Sequence, residues 1–139
     1  MKKLLRSKFI IGIAVFTLTM LSFSDAKSDY DQAMQYAKEN KVDDAVKALE
    51  NLSTSKDKQY AVKANYELGM FYLSKKDLSK AKSYLLLATK DKTNSSPEVL
   101  GSLYNLSLIA VQEKDNATAE SYILDMKKRT QDKDAQVLE

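Results

Sequence analysis

The sequence predicts an all-α domain in which three antiparallel helix-turn-helix hairpins are stacked one after another. From residue 28 onward the apolar residues recur at helical spacing, and no stretch shows the alternation of a strand. Proline occurs once and glycine three times, so helix breakers are rare. An alanine with a large aliphatic residue four positions later recurs at intervals of 36 and 38 residues, at one place in the second helix of each hairpin. The three pairs are Ala45 and Leu49, Ala81 and Leu85, and Ala119 and Ile123.

Six helices follow from the breakers and the polar connections. They are predicted to cover about residues 28–39, 42–54, 58–75, 78–91, 97–114 and 116–130. The two-residue connections at 40–41, 76–77 and 114–115 are so short that each must join antiparallel neighbours. The longer polar stretches 53–58 and 91–96 separate one hairpin from the next.

Start signals support these bounds. Ser96-Pro97-Glu98 combines an N-cap serine, a proline at the first helical position and an acid in the first turn. Ser28, with Asp31 three residues later, predicts the start of the first helix in the manner of a capping box. Three further acids are predicted N-caps: Asp57, Asp77 and Asp115.

The middle hairpin carries the clearest repeat motif. Its first helix reads Leu68-Gly69-x2-Tyr72, and Ala81 follows in its second helix. This spacing resembles the tetratricopeptide repeat, whose pattern is W-x2-L-G-x2-Y, then A-x3-F, on a period of about 34 residues. The resemblance implies a short right-handed α-solenoid, which binds a partner rather than catalysing a reaction.

The resemblance is strong in the middle hairpin and weaker in the outer two. Asp29 and Asn65 stand where the pattern has tryptophan, and Ser107 and Ala110 replace its glycine and tyrosine in the third copy. The repeats are expected at about residues 28–54, 58–91 and 97–130. The alternative is an unrelated antiparallel helical bundle, which explains the amphipathic helices but gives no reason for the aligned alanines.

The first 26 residues are predicted to be a secretory signal peptide. A basic start precedes Phe9–Phe23, an uncharged run of 15 residues, and Ser24-Asp25-Ala26 then places small residues at the −3 and −1 positions of a cleavage site. As a helix this run spans roughly 22 Å, short of the ~30 Å hydrocarbon core, so a retained membrane anchor is the less favoured alternative. The predicted organisation is a leader at 1–26, repeats at 27–130 and a C-terminal tail or partial cap at 131–139.

The composition removes most classes of chemistry. The chain has no histidine and no cysteine, and these are the commonest general bases, zinc ligands and thiol nucleophiles. Neither a glycine-rich phosphate loop nor a G-x-S-x-G elbow occurs. We therefore expect no catalytic residue, no metal site and no cofactor.

The charge of the chain argues against nucleic acid as a partner. The formal charge of +3 belongs to the leader, because removing its four basic residues and one acid from the totals of 22 and 19 leaves 18 of each. Arg129 is the only arginine beyond the leader. A balanced chain with one arginine lacks the electrostatic footprint of a nucleic-acid binder.

A recurring face of the first helices is the principal candidate binding site. The first helices line the concave surface in tetratricopeptide-like arrays, and here each carries a tyrosine with apolar residues four and seven positions later, which share one helix face. The predicted groove consists of Tyr30, Met34, Tyr66, Met70, Leu73, Tyr104, Leu108 and Val111. Tyrosine combines a large ring with a hydroxyl, and methionine adapts to varied partners. The alternative is that these faces pack one repeat on the next.

The end of the chain supplies a second candidate surface. After Arg129 too few residues remain for another hairpin, so Tyr122, Ile123 and Met126 are expected to form a partly uncovered apolar patch. Alternatively the last ten residues fold back over it as a partial cap.

The sequence thus predicts an exported protein–protein interaction module, an adaptor or assembly factor that binds a peptide or protein segment through the concave groove. The leader places it in the periplasm or outside the cell, in a bacterial envelope, without stable membrane insertion after cleavage. The alternative is a structural component of the envelope that forms homo-oligomers through its uncapped C-terminal helix.

Overall fold

The computed structural model describes residues 25–137, with side chains up to residue 131. The predicted leader lies outside the described residues apart from Asp25 and Ala26. Every regular element in the described part is a helix, which confirms the all-α prediction. The helices are α1 (Ala26–Lys38), α2 (Val42–Ser53), α3 (Lys58–Ser74), α4 (Leu78–Ala88), α5 (Pro97–Gln112) and α6 (Asn116–Val137). Within this part, no helix is both long enough and apolar enough to cross a membrane.

Two of the predicted bounds differ from the structure for local reasons. Helix α1 begins at Ala26 because the Asp25 side chain accepts a hydrogen bond from the N–H of Lys27 (3.5 Å), so the predicted start at Ser28 is wrong. Helix α6 continues to Val137 instead of ending at residue 130, since neither proline nor glycine follows Arg129. Part of the segment predicted as a tail or partial cap is thus a continuation of α6.

The predicted caps of the later helices are confirmed. Asp57 Oδ1 accepts from the N–H of Gln59 (3.0 Å), and Ser96 Oγ accepts from the N–H of Val99 (3.4 Å). Asp77 and Asp115 each accept from the N–H three residues later, at 3.1 and 3.0 Å. These bonds pair helix N–H groups that have no partner inside the helix.

The three hairpin turns are built alike. Asn40, Lys76 and Lys114 occupy the left-handed region, with φ of 59°, 59° and 62°. In the middle turn the N–H of Lys76 donates to the carbonyl of Leu73 and the N–H of Asp77 to that of Tyr72, both at 2.9 Å. The other two turns repeat this pair of bonds, which is the Schellman arrangement that ends a helix.

The aligned alanines lie where the helices of each hairpin meet. Ala45, Ala81 and Ala119 are buried, and so is Leu85, which follows Ala81 by four positions on α4. A Cβ added to Gly69 would lie 2.6 Å from the Leu85 side chain, so α3 and α4 approach more closely there than alanine allows. Each hairpin also packs on the next, through contacts of α2 with α3 and of α4 with α5, and the first helices touch in order. The three aligned alanines thus lie at equivalent buried places in the second helices of the hairpins.

Candidate functional site

The first tyrosine of the predicted groove joins two hairpins. The Tyr30 ring is half-buried, lies 5.8 Å from the ring of Tyr60, and its hydroxyl donates to Glu67 Oε1 at 3.2 Å. Lys63 Nζ lies 5.7 Å from the centre of the same ring. Burial, followed by the charge of Glu67, raises the pKa of the Tyr30 hydroxyl, which therefore stays protonated as the donor. Tyr30 thus fixes α1 against α3.

The second tyrosine occupies the equivalent place between the middle and third hairpins. Tyr66 packs on the buried cluster of Leu85, Leu106 and Ile109. A Cβ added to Gly101 would lie 3.0 Å from Tyr66 Cε2, so the ring fits against the backbone of α5. Glycine at position 101 therefore provides the space into which α3 places its tyrosine.

The third copy of the same face is open. Tyr104, Leu108 and Val111 on α5 are 51 %, 48 % and 54 % exposed, respectively. In the described residues no further hairpin follows to cover them. The structure thus places the eight predicted groove residues on one series of helix faces and brings the first two tyrosines into contacts between hairpins. Only the third copy leaves its face largely open.

The C-terminal patch also contains both packed and exposed residues. Tyr122 packs on the cluster that contains Leu106, and Met126 is half-buried. Ile123 and the adjacent Leu124 are 41 % and 57 % exposed. The open apolar surface of α6 is therefore centred on Ile123 and Leu124 rather than on Tyr122.

Sequence reasoning missed the structural role of Arg129. This arginine is only 3 % exposed, and its guanidinium donates to the carbonyl oxygens of Asp91 (2.7 Å), Asn94 (2.8 Å) and Thr89 (3.0 Å). Its Nε also donates to Asp125 Oδ1 at 3.0 Å. One side chain thus holds the connection between α4 and α5 against α6. The only signal in the sequence was the rarity of arginine, which says nothing of a partner 35 to 40 residues away.

Two cavities lie beside residues that occupy the tryptophan position of the repeat pattern. Asp29 lines a cavity of about 310 Å³ at the first hairpin, and Asn65 lines one of about 540 Å³ between the middle hairpin and its neighbours. In the third hairpin the corresponding residue is Leu103, which is buried. A short polar side chain where the repeat pattern has a large ring leaves this space beside each of the first two hairpins.

A stacked array of helical hairpins with close-approach positions of this kind defines a tetratricopeptide-repeat domain, a non-enzymatic class whose members bind protein partners. The family described as the SusR N-terminal TPR domain matches residues 16–131, and the chain belongs to that family. The match begins inside the predicted leader and extends through most of α6. No curated protein and no solved structure matches the chain.

Proposed function

We propose that this chain is an exported adaptor or assembly factor of a bacterial envelope, which binds a peptide or protein segment along the tyrosine and methionine face of its first helices. The uncharged run at Phe9–Phe23 supports export, and the repeat class supports a protein partner. The observation that carries the proposal is the open stripe of Tyr104, Leu108 and Val111, three apolar or aromatic side chains on one face of α5 that are each about half exposed.

The chemistry of the stripe suits a helical or extended segment with apolar side chains. Its three residues stand at i, i+4 and i+7 of α5, so they form one continuous line on the helix surface. Tyr104 adds a hydroxyl that forms hydrogen bonds at the edge of an apolar contact. Met34 and Met70 lie half-buried at the corresponding place on the earlier helices, where flexible side chains accommodate different partners.

Site-specific photo-crosslinking tests the stripe. The crosslinker p-benzoylphenylalanine is introduced at position 104, and at the exposed Leu86 on α4 as the matched control. We expect one discrete protein adduct from position 104 in envelope extract, and none from position 86. Once that protein is purified, Tyr104→Ala with Leu108→Ala should weaken its binding about 30-fold or more, as loss of a hot-spot residue does, while Leu86→Ala should not. Equal adducts at both positions would remove the stripe from the proposal.

Export has its own test. If the chain is cleaved after Ala26, the intact mass of the exported protein should equal that of residues 27–139. A mass that still includes residues 1–23 would show a membrane-tethered form instead. A cut at this bond also removes Asp25, so α1 would lose the cap that begins it at Ala26.

The second candidate, a self-associating structural component, is favoured by the exposure of Ile123 and Leu124 on α6. Light scattering over a range of concentrations separates the two functions, because an adaptor is monomeric without its partner. Association that Ile123→Lys abolishes, and that Leu86→Lys leaves unchanged, would favour the structural role.

A further inference from the structure

The open stripe on α5 and the apolar patch on α6 occupy one place in the array, the end face of the third hairpin. Each later first helix packs on both helices of the hairpin before it: α3 contacts α1 and α2, and α5 contacts α3 and α4. In the described residues no helix stands in this relation to α5 and α6. The end face consists of the residues that would meet such a helix, which are Tyr104, Leu108, Val111, Ile123 and Met126.

The end face is exposed where the equivalent residues of the earlier hairpins are covered. Ile123 follows its aligned alanine by four positions, as Leu49 and Leu85 do, but it is 41 % exposed whereas these leucines are 6 % and 0 % exposed. Leu49 lies in one buried cluster with residues of α3, and Leu85 lies in another with residues of α5. The first helix of the next hairpin thus covers both leucines, and Ile123 lacks this cover in the described residues.

The other end of the array is polar, so a second copy offers no apolar face there. Gln32 and Gln35 of α1 are exposed, and Gln35 Nε2 donates to Glu39 Oε1 at the end of the helix (2.9 Å). The residues at the equivalent positions of α5, Leu106 and Ile109, are buried in the cluster between α4 and α5. Head-to-tail stacking of two copies would bury glutamines in place of these apolar residues, which is unfavourable.

Two end faces also do not fit one another. Tyr66 shows how a tyrosine at this position is received, because a Cβ added to Gly101 would lie only 3.0 Å from its ring. In a second copy that space is taken by its own Tyr66, and the space beside Gly69 is taken by Leu85. The described part of the chain has no further glycine that could receive Tyr104. The end face therefore favours a different chain as its occupant.

The helices that already pack in this way define the shape of the occupant. Gly101 of α5 lies against the tyrosine of the hairpin before it, and the next residue, Ser102, is small and fully buried. Ala64 stands at the same place on α3 and is fully buried as well. Leu106, five positions after Gly101, is buried, as is its counterpart Leu68 on α3. Small residues let the helix approach closely, and the leucine fills the space between the hairpins.

Charge adds a further requirement. Lys82 on α4 pairs with Glu113 at the end of α5, at 2.7 Å. Lys82 follows its aligned alanine by one position, and Glu120 on α6 stands at the same place and is exposed. The sign of the charge is thus reversed on the end face. A helix that packs on α6 as α5 packs on α4 brings a complementary basic residue to Glu120.

We propose that the end face of the third hairpin binds one amphipathic helix of a partner protein, which packs on α5 and α6 as α5 packs on α3 and α4. This inference rests on the proposed partner-binding function and adds the chemistry of the partner. Its helix carries a glycine against Tyr104, a second small residue next to that glycine, a leucine five positions after it and a basic residue twelve positions after it.

The probe is a synthetic peptide made from α5 itself, residues 96–114, and is called the α5 peptide. The change Glu113→Lys supplies the base, and its outward face is made polar by Tyr104→Gln, Leu108→Gln and Val111→Gln. The labelled peptide is titrated with the protein in its exported form, and fluorescence anisotropy measures binding. We expect saturable binding with a Kd of about 10–100 μM. The α5 peptide that keeps Glu113 should bind about twofold to threefold more weakly at low salt, because an exposed ion pair contributes little.

A double-mutant cycle tests the contact between the glycine and the tyrosine. Gly101→Leu in the α5 peptide fills the space for the ring but favours the helix, and should weaken binding about tenfold or more. With the Tyr104→Ala protein the same change should cost less than about twofold, since no ring then meets the leucine.

A matched pair of protein variants tests whether the helix also packs on α6. Ile123→Lys should weaken binding of the α5 peptide about tenfold, because the contact would bury a charge. Leu86→Lys is the control and should change binding less than about twofold, since Leu86 is equally exposed (42 %) but lies on α4. Both variants change exposed side chains, so the fold should be retained.

Three results would each overturn the inference: no saturable binding up to about 1 mM, equal affinity for the Gly101→Leu peptide, or binding that Ile123→Lys leaves unchanged. A discrete photo-crosslinked protein at position 104, together with any of these results, would leave the proposed function intact and assign the stripe to another kind of segment. Association of the protein alone, lost in both Tyr104→Ala and Ile123→Lys, would assign the end face to a second copy and also overturn the inference.

Discussion

The middle and third hairpins have equivalent residue positions on their first helices, but the side chains at these positions differ in burial. Tyr66 is packed against Gly101 of the following hairpin, whereas Tyr104, at the equivalent place, is half exposed because no hairpin follows in the described residues. Asn65 lines a cleft, whereas Leu103 at its equivalent place is buried in the core. The first difference comes from position in the array and the second from residue type, so a repeat pattern alone does not determine which faces are open to partners.

The largest expected effect concerns the third hairpin. Arg129→Ala should lower the free energy of unfolding by about 3–5 kcal/mol, because it leaves the buried carbonyl of Thr89, the part-buried carbonyls of Asp91 and Asn94, and the Asp125 carboxylate without their main partner. Urea denaturation measures the loss, and the exposed neighbour Lys128→Ala is the control. A loss below about 1 kcal/mol would show that the connection between α4 and α5 does not need the arginine.

A paired truncation tests the comparison directly. Tyr66→Ala should cost about 2–4 kcal/mol, because it opens a cavity between α3 and α5. Tyr104→Ala should cost less than about 1 kcal/mol, since half of the ring is already in water. Both losses are read from the same denaturation experiment. Equal losses would mean that Tyr104 is covered in solution, and would support self-association if they depended on protein concentration.

Acid should weaken the third hairpin through Asp125. The hydrogen bond from Arg129 is the largest of the effects that lower the pKa of this carboxyl below its ordinary value of 3.8. A group with a depressed pKa in the folded state contributes stability above its ordinary pKa, and this contribution is lost as the pH falls through the folded value. We therefore expect the free energy of unfolding to fall below about pH 4, with a shallower slope in Asp125→Asn. Identical slopes for the two proteins between pH 5 and about pH 2 would contradict this.

The smallest expected effect is a gain. Lys76→Gly and Lys114→Gly should each raise the free energy of unfolding by about 1 kcal/mol, because both residues are held at positive φ, where glycine has no steric penalty. The neighbouring Lys75 has φ of −85°, so Lys75→Gly should give no gain and serves as the control. The same gain in the middle and third turns would show that they are energetically alike, and that the two hairpins differ in their faces rather than in their turns.

Much of the fold was readable from the sequence because its signals are local. Small residues at Gly69 and Ala81 mark the close approach of two helices, and the acids before α3, α4 and α6 mark their starts. Both features depend on residues within one hairpin. The predicted start of α1 was wrong because two nearby residues, Asp25 and Ser28, are both suitable N-caps, and the sequence pattern does not decide between them.

The candidate sites were less readable because they depend on contacts across hairpins. Repetition located the tyrosine positions, yet the exposure of each ring depends on whether another hairpin covers it. The replacement of tryptophan by Asn65 was visible, but the cavity beside it results from packing with Leu87 and from the connection after α4. Arg129 binds that connection from a distant helix, and no periodic pattern reports such a bond.

The nearest-neighbour packing of the helices has a consequence for how the chain acquires its structure. Among the described helices, contacts join only elements that are adjacent or next but one along the chain. Such a topology has a low contact order, and helical proteins of this type fold within about microseconds to milliseconds. Each hairpin buries its apolar face mainly against the hairpin next to it, so the array can grow by adding one hairpin to the last. The first two hairpins can therefore pack together before the third is complete, whereas the connection between α4 and α5 acquires its final contacts only when Arg129 of α6 arrives.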